Sequence, residues 1–180
     1  MCIRDRAITE RDSLPVMTTL GVTTLISDSG VTRYRVNTEE WMMYDRKKPS
    51  YWAFEKGVYM EQFDSIFNVE ASIKADTAYY YDKERLWKLI GNVDIQNRKG
   101  ERFNTELLYW NEATQKVYSD KFIRIQQPDR IITGHGFDSN QQMTIYTIRN
   151  IEGIFYVDEE ASSGPPQPET KALPDSVNQD

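Results

Sequence analysis

Residues 67–77, FNVEASIKADT, decide the fold class. Phe67, Val69, Ala71, Ile73, Ala75 and Thr77 fall on one side of an extended chain; Asn68, Glu70, Ser72, Lys74 and Asp76 fall on the other. That alternation is the signature of a half-buried strand. Residues 86–96, LWKLIGNVDIQ, repeat it, with Trp87, Leu89, Gly91, Val93 and Ile95 facing one way. The turn Asn97-Arg98-Lys99-Gly100 follows, ending in the glycine that tight hairpins favour. In the return strand, 101–110, Phe103, Thr105, Leu107 and Tyr109 alternate with Arg102, Asn104, Glu106 and Leu108.

The same grammar extends both ways. Thr23 to Ile26 leads into a Ser27-Asp28-Ser29-Gly30 turn and then Val31 to Val36. Val58 to Phe63, Lys116 to Tyr118, Phe122 to Gln126, Arg130 to Thr133, Met143 to Ile148 and Ile154 to Val157 read as further short strands. Strands at this spacing, separated by turn signals, predict an all-β antiparallel sandwich, barrel or jellyroll. Two short stretches look helical: Asn37 to Met43, where Thr38-Glu39-Glu40 resembles a helix start, and Asp82 to Arg85, which reads better as a turn.

Composition limits the function classes. The 180 residues fit one domain, and 12% aromatic content suits strands and amphipathic surfaces. After Val157 the chain holds four of its seven prolines, no aromatic residue, and six acids against Lys171. Residues 158–180 are therefore expected to be a disordered acidic tail. Nearly all of the net charge of −6 lies there, so the body at 16–157 is close to neutral. That argues against a nucleic-acid partner, which needs a basic face. Residues 1–15 open with MCIRDRAITERD, which has neither strand nor helix period, and are expected to be a disordered or non-native segment. Cys2 is the only cysteine, so no intramolecular disulfide is available. No run of about 18 apolar residues is present.

Chemistry is sparse. His135 is the only histidine, set between Gly134 and Gly136, which rules out a histidine-cluster metal site. No CxxC, GxSxG or phosphate-loop motif occurs. Asp94 and Glu106 could be imagined as a carboxylate pair, but both lie on polar strand faces. No catalytic residue, metal or cofactor is expected. Gly134 and Gly136 are expected to serve a positive φ or a close backbone approach. Period alone does not separate a plain core from an apolar slot that holds a ligand.

One extended stretch carries a resemblance. In ADTAYYYDKERLWKLIGNVDIQNRKGERFNTELLYWNEATQKVYSD, residues 75–120, an alanine-rich strand is followed by Leu86-Trp87 and Gly91-Asn92-Val93. Gly100, Thr105-Glu106-Leu107 and Tyr109-Trp110 come next, then Tyr118-Ser119-Asp120 and later Gly134-x-Gly136-Phe137. This order, with SDSGVTRYRV upstream, resembles the LptC and OstA-like lipopolysaccharide export proteins over about Pro15 to Phe155. WMMYDRKKPSYWAFEKGVYMEQFD, residues 41–64, is similar to a Bacteroidetes-type branch. The resemblance implies an open antiparallel β-jellyroll in the periplasm, anchored to the inner membrane by an N-terminal segment that this chain lacks. Its partners would be lipopolysaccharide, an inner-membrane ABC transporter that hydrolyses the ATP, and an LptA-like periplasmic bridge. Lipid would contact the inward rows Val69, Ala71, Ile73, Leu89, Val93, Ile95, Phe103, Leu107 and Tyr109. Ile154, Phe155 and Tyr156, taken as a short final strand, would form a partner-binding edge. The alternatives are a soluble LptA-like bridge, or a carbohydrate-binding or structural β-sandwich; a glycosidase ranks last.

Overall fold

The computed structural model describes residues 13–157. The expectation for the acidic tail, and most of that for the N-terminal segment, lies outside the described residues. Eleven strands follow one another with no helix between them: β1 (Met17–Asp28), β2 (Val31–Tyr44), β3 (Tyr51–Phe54), β4 (Val58–Phe63), β5 (Val69–Ala75), β6 (Thr77–Tyr81), β7 (Leu86–Asn97), β8 (Arg102–Asn111), β9 (Lys116–Gln126), β10 (Arg130–Asn140) and β11 (Tyr146–Tyr156). All pairings are antiparallel. β3 and β4 both lie against β2, and β6 and β5 both lie against β7. Each couple thus acts as one interrupted strand, and the sheet is a meander in chain order from β1 to β11.

A line of interruptions crosses this meander at mid-strand. Gly21 stands opposite Glu39, between the pairs Leu20↔Glu40 and Val22↔Thr38. Gly57 separates β3 from β4; its N–H donates to the Asp76 carbonyl, and the Asp76 N–H donates to Gly91. The register then shifts between Ile90 and Val93, between Thr105 and Tyr109, and between His135 and Phe137. Bulges bend a strand and sharpen its twist, so aligned bulges make a crease. The Thr38 hydroxyl donates across it to the Gly57 carbonyl at 2.8 Å, and Thr105 does the same to Phe122 at 2.7 Å. Gly91 and Gly136 lie on the crease at φ +79° and +77°, a backbone region that side chains with a Cβ rarely enter.

Folding at the crease brings strand ends from opposite rims together over an apolar interior. Trp87 lies in the middle of it, its ring 5.5 Å from Phe54, 4.7 Å from Tyr80 and 6.2 Å from Trp110. Tyr34 on β2 reaches Trp110 on β8 at 5.1 Å. A second group joins Phe103, Phe137 and Tyr146. The all-β antiparallel jellyroll expected from the sequence is the fold observed.

Three local expectations need correction. Asn37 to Met43 is part of β2, not a helix. The crease at Glu39 sets the inward residues Thr38 and Trp41 three apart, which imitates a helical spacing. The Phe67–Thr77 strand starts at Val69 and turns over at Asp76: Ala75 and Ala78 are buried, so Thr77 faces the other way. Phe67 sits at φ +66° before the strand and stacks on Phe63. Finally, Ile154 to Val157 is no separate short strand, because β11 runs unbroken from Tyr146 to Tyr156 through Gly153.

Candidate functional site: a folded-sheet interior with two unpaired edges

Of the nine inward positions read from sequence, Leu89, Val93, Ile95 and Phe103 meet in the buried core, Ile73 packs against it, and Ala71 is buried beside it at the void beneath Tyr34. Val69 does not; it is 44% exposed at the start of β5. Leu107 and Tyr109 also fall outside this interior. Residues paired across a ladder share a face, and the buried Leu89 pairs with Leu108. Leu107 and Tyr109 pair instead with Ile90 and Lys88, on the outer face, where Tyr109 stacks on Tyr118. The residues missed include Leu108, Trp110, Ile123 and Ile125, which lie beyond the β8–β9 bulge, and Met143, which lies in the β10–β11 loop. Glycines mark the crease at 21, 57, 91 and 136, but the bulged segments of β8 and β9 contain none, so nothing in their own sequence signals the change of phase.

The interior is filled. The void beneath Tyr34, lined by Met60, Ile73, Trp110 and Met143, measures about 10 Å³, no more than one water needs. On the β11 side a polar clasp ties the rims. Asn97 Nδ2 in the β7–β8 turn donates to the Met143 carbonyl in the β10–β11 loop at 2.8 Å, and to Glu101 at 2.7 Å. Gln127 donates to Glu101 Oε1 at 2.6 Å, and the Tyr146 hydroxyl donates to the same oxygen at 3.2 Å. Burial, together with the adjacent Glu101 carboxylate, pushes Tyr146 up to about 12.

The two ends of the sheet stay open: β1 pairs only with β2, and β11 only with β10. Ile151, Ile154, Phe155 and Tyr156 along β11 are 46–71% exposed. Ile154 pairs with Ile132, which pairs with the buried Ile125, so its side chain extends the inner face. The Val157 N–H donates back to Asp129. Strand N–H groups alternate in direction, so the Phe155 N–H points to β10 and those of Ile154 and Tyr156 point to the free edge.

The two glycines of β10 differ. A Cβ on Gly134 would lie 2.3 Å from the Asn150 carbonyl oxygen of β11. One on Gly136 would meet the Arg149 side chain at 2.8 Å, in addition to the positive φ. Gly134→Val is expected to lose about 1–3 kcal/mol and to release β11, read as faster amide exchange along Tyr146–Tyr156. Unchanged protection there would refute the close-approach role. His135 lies between them, its Nδ1 2.7 Å from Glu152 on the exposed face. Asp94, the imagined catalytic acid, is held by Arg102 at 2.5 Å.

Residues 15–154 match the family model described as lipopolysaccharide-assembly, LptC-related. The chain belongs to the LptC-related family. The match spans the sheet from its first edge almost to the end of its last strand. This LptC-related chain is accordingly a non-catalytic module of lipopolysaccharide transport, from a family that is periplasmic and anchored to the inner membrane. No individual curated protein matches it.

Proposed function

We propose that the folded sheet accepts lipopolysaccharide from an inner-membrane ABC transporter and passes it to an LptA-like bridge from the β11 edge. The family match over residues 15–154, nearly the whole sheet, carries this reading. The acyl chains occupy the space between the two halves of the sheet, against Leu89, Val93, Ile95 and Phe103. Each methylene withdrawn from water contributes about 0.8 kcal/mol. Because the interior is filled without lipid, the halves part as chains enter, and the gain is reduced by the packing given up. That keeps binding reversible, as a relay needs. The chain itself works at the periplasmic face of the inner membrane.

Photo-crosslinking tests the interior. Probes at Leu89, Val93 and Phe103 are expected to capture lipopolysaccharide in a reconstituted transport system, and probes at Lys74, Lys88 and Asp94 are not. Equal capture from both faces would rule out an interior path.

Proline substitution tests the edge. Tyr156→Pro removes a free-edge donor, whereas Phe155→Pro removes a donor to β10. The Tyr156 variant is expected to weaken bridge binding about tenfold or more, with unfolding and lipid binding little changed. The Phe155 variant should also lower stability. Full bridge binding by Tyr156→Pro would exclude strand pairing there.

A further inference from the structure

The rims of the folded sheet are not joined in the same way along their length. The β11 side is clasped by the Asn97–Glu101–Gln127–Tyr146 network. Toward β1 the rims instead part around a basin of about 470 Å³. Arg33, Tyr34 and Gln62 line it from one half of the sheet, and Arg85, Glu112 and Gln141 from the other. Tyr34, Gln62 and Gln141 also line the apolar void below, so basin and interior share a wall. Between them stands the Tyr34 ring, held by its edge contact with Trp110.

The cations are placed for an anionic group. Arg33 is the extra residue of a bulge, between the pairs Ile26↔Tyr34 and Ser27↔Thr32. Bulges re-aim a side chain, and Arg33 makes no ion pair among the described residues. Arg85 is 60% exposed and sits 3.6 Å from Glu112. Glu112 is already engaged, accepting from Trp87 Nε1 at 2.8 Å and from the Tyr80 hydroxyl at 3.3 Å. Asp28 and Glu70 also line the basin, so its pull on an anion comes from direct guanidinium contact and not from net charge. The glutamine amides that line the basin with them suit sugar hydroxyls.

We propose that this basin admits a phosphorylated, glycosylated amphiphile, its phosphate between Arg33 and Arg85 and its leading acyl chain passing Tyr34 into the interior. The inference rests on the transport reading above and adds the place and the chemistry of loading. Loading occurs at the unclasped part of the mouth, while the clasp keeps the β11 end shut.

The test uses the full chain with bisphosphorylated lipid A in detergent micelles, its dephosphorylated counterpart, and inorganic phosphate alone. Wild type is expected to prefer the phosphorylated lipid by about tenfold or more. R33Q/R85Q should lose that preference and still bind the dephosphorylated lipid as wild type does; R102Q, on the outer face, should keep it. A preference retained by R33Q/R85Q overturns the inference and leaves the transport reading standing. Binding of neither lipid by wild type overturns the transport reading itself. Inorganic phosphate binding as tightly as lipid A would make the basin a free-phosphate site and overturn the amphiphile assignment.

Discussion

Phe103→Ala is expected to cost about 3–5 kcal/mol, the usual loss for a buried phenylalanine. The ring is 0% exposed. It stands 5.7 Å from Phe137 and 5.2 Å, edge-on, from Tyr146, and its strand partners are Ile95 and Ile125, both fully buried. Nothing nearby is positioned to collapse into the space, because strands on both sides hold the neighbours by ladder hydrogen bonds. Tyr146 would also lose the contact that sets its hydroxyl against Glu101, so the clasp should loosen with the core. Urea unfolding followed by tryptophan fluorescence measures the loss. A change below about 1 kcal/mol would mean that the β8–β10 interior is not close-packed.

The second large effect separates adjacent leucines. Leu108→Ala is expected to lose about 2–5 kcal/mol, and Leu107→Ala under about 1 kcal/mol. Leu108 is fully buried opposite Leu89, whereas Leu107 lies on the outer face opposite Ile90. The same denaturation assay decides it. If Leu107→Ala proved the more damaging, the crease would not invert β8 as described.

That pair also shows how far the sequence could be read. Within each half-strand, period two placed side chains correctly: Phe103 and Thr105 point inward, as do Trp87 and Leu89. Across the crease the outcome depended on the number of bulge residues. β7 keeps its phase, because Leu89 and Val93 are an even step apart, so its inward apolar residues from Trp87 to Ile95 were legible. β8 changes phase between Thr105 and Leu108, so Leu107 and Tyr109 read as inward and are not. In β2, Asn37 to Met43 read as helical because Thr38-Glu39-Glu40 resembles a helix start, although the segment is extended. A bulge is defined by two strands together, and one strand's sequence carries only a hint of it, here the glycines at 21, 57, 91 and 136. The edges were legible for a related reason. The acidic, proline-rich residues after Val157 marked the last strand, but Gly153 concealed that β11 is long. The basin was not legible at all, because Arg33 and Arg85 come together only when the sheet folds over.

The crease has a further consequence for size and growth. The interruptions lie along one line across the sheet, so the bore is set strand by strand and does not depend on how many strands there are. The nine strand rows extend the trough roughly 40 Å at the usual inter-strand spacing. Adding or removing one hairpin would change that length by about 10 Å and leave the cross-section as it is. The shape is that of an extrusion: a conduit built this way can be lengthened, or abutted end to end with another of the same profile, without redesigning its interior.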